Sequence, residues 1–509
     1  MFEGRVGRGV LLRLYNVAAY SPAICAVVPG LLLGVMAGII ASVSWGFGPG
    51  FGLFLLGGVT VALYHVRIPR YKVVILSLGL MKLLPFFVPS LIRSSPLAEK
   101  GLERWGNLAV LHAASASPLL FLGLTQVLDV RRVYRIHWSS SVQLWMWALL
   151  GIAGLSLVVG LARGNQLTLI LSDVYKVVII PVGYYVVTFI DRGRIHAIID
   201  GYIKVTVMAL AIGLLKQIYA SATGINLRDV PFIDVFLLLV VLRNILYGQS
   251  VFIKHNYVLL TLGFASALMS LERALWALVP FALLTLSLVP KGIGRDGRST
   301  NPRVLLRLLL VSVFALVVIA VAVLIPLLRG VLVERLRLTG VELGEFVSFL
   351  TGSGTIYPLG YLSVLQKVSE VVDSLAFLRS AGGITWVIGM GAGAEFPVQI
   401  GSGSTSLLSA SGWNHQIHVT PIALLFRHGL LGVLVFYGML ASMLSKGMRF
   451  LKRGPGVDQT AADIAVVQLL VVWLIIQLVY GILINTLIGD ITFPIFLALL
   501  TRLVKVKRV

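Results

Sequence analysis

Long apolar runs separated by short basic segments are the feature that most constrains this chain. A membrane-spanning helix needs roughly 17–25 mostly apolar residues to cross a hydrocarbon core of about 30 Å. Runs of this length recur along the sequence, of whose 509 residues 58% are hydrophobic and only 12% are charged. These values exclude a water-soluble globular protein and predict an all-α, polytopic transmembrane helix bundle.

The apolar runs predict about fourteen membrane spans, the last of which is short and contains Arg502. The count becomes about twelve if the weaker runs are not spans. The predicted spans lie at residues 22–45, 48–64, 72–91, 107–128, 141–161, 166–190, 203–220, 231–250, 253–270, 273–290, 307–328, 416–441, 462–486 and 493–506.

The distribution of charge predicts how the bundle is oriented. A formal net charge of +22 is compatible with nucleic-acid binding, but the basic residues lie in short clusters between apolar runs. Cytoplasmic loops of membrane proteins carry such clusters. Most of the 42 Lys and Arg fall on one side of the predicted topology. We therefore expect a multi-pass plasma (inner) membrane protein that does not bind nucleic acid, with a retained first span and both termini cytoplasmic.

One long polar segment interrupts the apolar pattern and is predicted to face outward. Apolar residues recur at helical spacing in 341–350 and 361–380, and Gly- and Ser-rich breaks separate these stretches. The sequence thus predicts a bundle of about eleven spans over 1–328. An external helical cap over 329–415 and C-terminal spans over 416–509 would follow.

Two histidines lie where the outer segment meets the next span. His415 and His418 precede an apolar stretch that contains Gly429 and Gly432. Eleven positions, or about three helical turns, separate His418 from Gly429, which predicts that both lie on one helix face, roughly 16 Å apart along the axis. The glycines would let a neighbouring helix approach closely. A neutral imidazole at the membrane surface can act as a general base, although both histidines can also simply cap the span.

Two arginines are candidates for binding an anion. Arg273 is predicted at the outer end of a span, where it can bind a phosphate or diphosphate or simply extend to the interface. Arg427 lies inside a span and needs a partner, which can be a phosphate or an acid such as Asp490. Asp173 and Lys176 are spaced to form an internal ion pair.

The sequence contains no recognisable metal or nucleotide motif. There is no HExxH, no cysteine pair and no DxD-type pair in the outer segment, so we expect neither a metal nor a cofactor. Gly389 to Gly393 lack the strand and the Lys-Ser/Thr of a P-loop, and we expect them to form a turn leading towards the membrane.

The order of these motifs resembles the O-antigen ligase and O-antigen polymerase (Wzy-type) superfamily of polytopic glycosyltransferases. The family motif is a histidine, a polar residue, nine residues and Gly-x-x-Gly. His418, Val419 and Gly429-Leu430-Leu431-Gly432 match its spacing, with valine at the polar position. His415-Gln416 has the polar neighbour without the glycine spacing.

Further landmarks fall in the same order over roughly residues 200–441. These are the turn in GLLKQIYASATGINL, the Ser-Arg variant Ser270-Leu271-Glu272-Arg273 and the Gly-rich GMGAGAEF. Thr355 stands where the family has a second arginine, and Arg379 or Lys367 can replace it.

The resemblance implies a GT-C-like enzyme that transfers a glycan from a polyprenyl-diphosphate carrier, with inversion and without a metal. The acceptor would be a lipid-linked sugar, another carrier-linked glycan or a protein hydroxyl on the external (periplasmic) face. His418, or otherwise His415, would be the catalytic base. Arg273, Arg379 and Arg427 would bind the diphosphate, and membrane lipid would surround the bundle.

The sequence leaves other function classes open. A flippase or transporter of lipid-linked glycans predicts charged residues along a path through the bundle. A peptidoglycan-type polymerase predicts an outer carboxylate as the base, for which Glu342, Glu345 and Asp373 are available. A purely structural membrane protein needs no basic, histidine-bearing outer site.

Overall fold

The protein is an assembly of apolar helices. The computed structural model describes residues 69–83, 119, 122, 141–188, 190–223, 234–270, 273–290, 363–397, 413–415, 417–453, 460–483 and 491–504. Five helices in these ranges are long and apolar enough to cross a membrane. The prediction of a membrane-embedded helical protein is therefore confirmed.

The described ranges contain twelve α-helices and two short strands, which lie between the ninth and the tenth helix. In chain order they are α1 (Arg70–Leu83), α2 (Ser141–Ala162), α3 (Leu167–Thr188), α4 (Ile195–Thr223), α5 (Val235–Tyr247), α6 (Asn256–Ser270), α7 (Arg273–Leu288), α8 (Ser363–Ser380), α9 (Gly383–Ile388), β1 (Phe396–Pro397), β2 (Trp413–Asn414), α10 (Thr420–Arg453), α11 (Ala461–Leu483) and α12 (Thr492–Val504). A 3₁₀ turn, Arg192–Arg194, precedes α4. The strands β1 and β2 pair in an antiparallel register.

Most predicted spans coincide with helices, and the differences lie at polar ends. The span predicted at 141–161 is α2, and the short one predicted at 493–506 is the buried helix α12. Helix α10 runs to Arg453, well beyond the predicted end at 441. The prediction followed hydropathy, which falls at the basic residues of the last turns, although these turns are helical. The predicted spans at 22–45, 48–64 and 307–328 lie outside the described residues, and so does the span at 107–128 apart from the helical residues Leu119 and Leu122.

An aromatic cluster holds the centre of the bundle together. The ring of Phe496 in α12 lies 4.6 Å from that of Phe236, 5.1 Å from that of Tyr202 and 4.9 Å from that of Trp473. These residues come from α5, α4 and α11, and all are buried. Aromatic rings in such tilted and edge-on contacts add to the stabilisation from burial.

The contacts near the two ends of α3 describe the two ends of the bundle. Near its C-terminal end, Arg502 donates a hydrogen bond to the carbonyl of Ile190 at 3.1 Å, and His196 lies 3.0 Å from Asp463. Near its N-terminal end, a tight turn over 163–166 joins α3 to α2. The segments around residues 389–394 and 413–419 contact this second end. Helix α8, which lies within a stretch predicted to be helical, packs beside them.

Candidate functional site

His418 is held by a buried carboxylate from helix α8. Its Nδ1 lies 2.7 Å from Oε2 of Glu370, and its backbone N–H donates to the same oxygen at 2.9 Å. The Glu370 side chain is only 3% exposed, whereas that of His418 is 24% exposed. Because Nδ1 faces the carboxylate, Nε2 is the ring nitrogen available to a further partner.

His418 does not lie on the helix that follows it, so the prediction of a continuous helix from His418 to Gly429 is wrong. Helix α10 begins at Thr420. Pro421 fits this start, because it lies in the first helical turn, where the missing N–H of proline leaves no intrahelical hydrogen bond unmade. His418 instead lies in an irregular segment before α10. Glu370 of α8 holds this segment through its contacts with the backbone N–H and Nδ1 of His418.

Helix α10 is broken at Gly429, whose φ of 67° and ψ of −173° are not helical. Only glycine adopts this conformation readily. A Cβ on Gly429 would overlap the carbonyl of Val387 and the amide of Gly389. The glycine thus admits the backbone of the 387–391 segment. The neighbouring backbone is the end of the short helix α9 and the turn after it, so the close helix approach predicted at Gly429 occurs, with α9.

The glycine-rich segment also restores hydrogen bonds that the break removes. The amide of Met390 donates to the carbonyl of Phe426 at 2.7 Å, and that of Gly391 donates to the carbonyl of Arg427 at 3.1 Å. The hydroxyl of Ser156 in α2 donates to the Arg427 carbonyl as well, at 3.2 Å. Broken helices persist at membrane depth only where such partners satisfy the backbone.

Asp173 is the centre of a buried charge cluster on the same side of the bundle. Its Oδ2 lies 2.8 Å from Nε of Arg427 and accepts a hydrogen bond from the amide of Gly393 at 2.9 Å. Its Oδ1 lies 3.2 Å from Nζ of Lys176 and 3.4 Å from Nε2 of His415. The Asp173 side chain is 2% exposed. The predicted Asp173–Lys176 pair is confirmed.

Arg427 has a different partner from the one suggested by the sequence. Asp173, 254 positions earlier in the chain, takes the place proposed for Asp490, which lies outside the described residues. Nε of Arg427 and the Asp173 carboxylate form a close ion pair, although the N–H is not aligned for a hydrogen bond. Nη2 of Arg427 donates to the backbone carbonyl of His415, which fixes the segment before α10.

His415 is enclosed by this cluster. Its Nδ1 donates to the carbonyl of Ala394 at 3.1 Å, and its Nε2 lies 3.4 Å from Nη2 of Arg427. Burial lowers the pKa of His415; Asp173 opposes this shift and the Arg427 charge adds to it. A neutral ring fits both contacts, since Nδ1–H then donates and Nε2 accepts.

His428 is a residue of the cluster that the sequence reasoning missed. It is 4% exposed, and among the described residues nothing pairs with its buried Nδ1. It directly follows Arg427, whose Nε lies 2.8 Å from Asp173. The sequence alone could have indicated it, because His428 is an ionisable residue beside Arg427 inside an apolar span, and such residues tend to be functional.

The other predicted site residues are not brought together in the same way. Arg273 begins α7, and its side chain is outside what the structure describes. Arg379 is exposed in the last turn of α8. It lies nine positions after Glu370, which places it on the opposite helix face, about 14 Å along the axis. Lys367 lies one turn before Glu370 on nearly the same face, so it fits a second cation near His418 better than Arg379 does.

The arrangement combines an accessible histidine–carboxylate pair with a buried cluster of charges at the helix break. Asp373, a candidate base of a peptidoglycan-type polymerase, is 4% exposed, and Glu342 and Glu345 lie outside the described residues. Within the described ranges, no group of three His, Cys, Asp or Glu side chains is arranged to hold a metal ion. Comparisons with protein-family models, curated proteins and solved structures found no match to this chain.

Proposed function

We propose that this chain is a membrane glycosyltransferase that moves a glycan from a polyprenyl-diphosphate carrier to an acceptor hydroxyl, as O-antigen ligases and polymerases do. The observation that supports this most is the Glu370–His418 pair at the end of the bundle. A carboxylate that orients a histidine through one ring nitrogen leaves the other ready to take a proton. The motif spacing from His418 to Gly432 points to the same histidine.

In the proposed reaction, His418 acts through Nε2 and Glu370 positions it. Nε2 takes the proton from the acceptor hydroxyl as its oxygen forms a bond to the anomeric carbon of the donor. The bond from that carbon to the diphosphate oxygen breaks, and the electron pair leaves with the diphosphate. Attack opposite the leaving group inverts the anomeric centre. The nearby carboxylate stabilises the imidazolium that forms.

The diphosphate would be bound by cations near His418. Arg273, Arg379 and Lys367 remain candidates for this role. Arg427 already contacts Asp173 and His415, so binding a diphosphate there would require this cluster to open. The proposal also includes a GT-C-like bundle of about twelve to fourteen spans whose His418 end faces outward. The basic residues at the opposite end, among them Arg192, Arg194 and Arg502, would then face the cytoplasm.

The test is glycan transfer by the purified chain in the presence of EDTA. We expect His418→Ala to reduce the rate by roughly 10²–10⁴-fold, the usual contribution of a general base. Glu370→Gln keeps an acceptor for Nδ1 but removes the charge, so a smaller loss is expected. His196→Ala is the matched control, because this histidine also pairs with a carboxylate, Asp463, at the other end.

Full activity in His418→Ala would rule out this mechanism. A requirement for a divalent metal would count against the assignment to O-antigen ligases and polymerases. Loss of activity in His415→Ala with retained activity in His418→Ala would instead assign the chemistry to the buried cluster.

A transporter of lipid-linked glycans is the second candidate, and the break in α10 favours it. Transporters commonly bind substrates at discontinuous helices near the middle of the membrane. Asp173, Lys176 and Arg427 form the kind of buried charge cluster that a path through the bundle would need. Translocation of a labelled carrier-linked glycan in vesicles that lack an acceptor would support this function against transfer.

A further inference from the structure

The helix break gathers more positive than negative charge inside the bundle. Asp173 contributes one negative charge, whereas Lys176 and Arg427 contribute two positive charges, and His415 and His428 are neutral in this count. A buried excess charge in a membrane protein is costly unless a partner or a polar cavity compensates it. The Lys176 side chain is 30% exposed, so part of this charge reaches the protein surface.

The break also creates a second helix N-terminus. Residues 430–453 continue α10 after Gly429. The first turn of a helix has N–H groups without intrahelical acceptors and carries a partial positive charge, which favours anions. Leu430 and Leu431 in this turn are 49% and 41% exposed, so the turn lies at the surface of the protein.

His428 supplies an independent indication of a ligand. It immediately precedes the break, and its Cβ lies against Gly432 in the first turn of the second half-helix, so close that a Cβ on Gly432 would overlap it. Its buried Nδ1 has no hydrogen-bond partner among the described residues. An imidazole N–H in this position would donate to an anion bound at the turn.

We propose that the break at Gly429 binds a phosphate or diphosphate group through Lys176, His428 and the first turn of the 430–453 half-helix. The chemistry fits either the head group of a phosphorylated lipid or a free phosphate. The inference rests on the proposed function if the bound group is the diphosphate of the polyprenyl carrier. It does not rest on that function if the bound group is a free phosphate. The site is separate from the Glu370–His418 pair and involves none of the predicted arginines directly.

The experiment measures binding to the full chain in detergent, with three probes. These are inorganic pyrophosphate, a polyprenyl diphosphate without sugar, and the corresponding polyprenol without phosphate. We expect wild type to bind at least one phosphorylated probe and to prefer it to the polyprenol. The affinity should fall about tenfold or more in Lys176→Gln and in His428→Phe, since each substitution removes a charge-assisted hydrogen bond to the anion.

Lys82→Gln is the matched control. Lys82 pairs with Asp234 at 2.8 Å and is 22% exposed, so the two lysines have similar surroundings. Its variant should bind like wild type. The melting temperature of each variant without ligand shows whether it has folded, and His428→Asn replaces His428→Phe if the latter has not.

The outcomes separate the possible sources and the two proposals. Binding of pyrophosphate alone indicates free phosphate, and binding of the lipid alone indicates the carrier. Equal binding of the polyprenol, unchanged affinity in folded Lys176→Gln, or no binding at all overturns the inference. His418→Ala should still bind the phosphorylated probe. Binding by wild type that transfers no glycan would count against the proposed function and leave this site standing.

Discussion

His415 and His418 are three residues apart, but their surroundings differ. Both ring nitrogens of His415 face protein groups, the Ala394 carbonyl on one side and Arg427 with Asp173 on the other. His418 uses only Nδ1, which faces Glu370, and within the described part of the chain its Nε2 has no partner. This contrast favours a structural role for His415 and a chemical role for His418.

The comparison shows how one short segment can be both fixed and reactive. Asp173 and Arg427 hold the segment at His415 from inside the bundle, and Glu370 holds it at His418 from helix α8. Precise positioning of a catalytic group depends on such supporting contacts. Mutations on the His415 side should therefore reduce mainly stability, and mutations on the His418 side should reduce mainly activity.

The strongest test of this contrast is Asp173→Asn. The asparagine keeps one acceptor oxygen but places an NH₂ group among Arg427, Lys176 and the Gly393 amide. Removing one partner of a buried ion pair typically costs about 3–5 kcal/mol, and we expect a loss of this size in the free energy of unfolding in detergent. Glu370→Gln is the comparison, because Glu370 is equally buried but is expected to affect mainly transfer.

Equal losses of stability in Asp173→Asn and Glu370→Gln would remove the distinction between the two sides. A stable Asp173→Asn variant that has lost transfer would move the chemistry to the buried cluster.

Gly429→Ala should give the next largest effect. The substitution places a Cβ against the Val387 carbonyl, and the φ of 67° with ψ near 180° is costly for any other residue. Strain of this kind costs about 1–3 kcal/mol, so the melting temperature should fall clearly. Gly154→Ala in α2 is the matched control, because a Cβ there meets nothing within 4 Å and alanine favours helices.

A melting temperature of Gly429→Ala equal to that of Gly154→Ala would show that the break does not depend on this glycine. The contact between Gly389 and α10 would then need another explanation.

Much of the bundle could be predicted because each span is a local property of the sequence. Helix α2 follows its apolar run to within one residue, and the Asp173–Lys176 pair follows from helical spacing alone. The end of α10 was missed because the hydropathy falls at the basic residues of its last turns, whereas the helix propensity of Lys and Arg remains high. The start of α4 at Ile195 was missed for the same reason, because polar residues such as Asp200 and Lys204 lower the hydropathy of its first turns.

The candidate site was predicted only in part, because its contacts join distant segments. The motif identified His418 and the glycines, but no local pattern pairs Glu370 with His418 or Asp173 with Arg427. The break at Gly429 was missed for a similar reason. A glycine inside an apolar run is compatible with a continuous helix until the 387–391 segment is known to pack against it.

The pH dependence of stability is the smallest expected effect and tests the neutral state of His415. Burial lowers the pKa of His415 in the folded state below its usual value of 6.5, which the unfolded chain retains. The unfolded state therefore binds a proton more readily than the folded state. The contribution of His415 is fully present above pH 6.5 and is lost as the pH falls below it.

We therefore expect the melting temperature of wild type to fall between about pH 7 and about pH 5 by more than that of His415→Gln. The difference between the two proteins isolates this residue, because the remaining histidines are common to both. His418→Gln provides the comparison with the other histidine. A wild-type curve parallel to that of His415→Gln would show that His415 takes up a proton without cost, which would contradict its enclosure by Arg427 and Ala394.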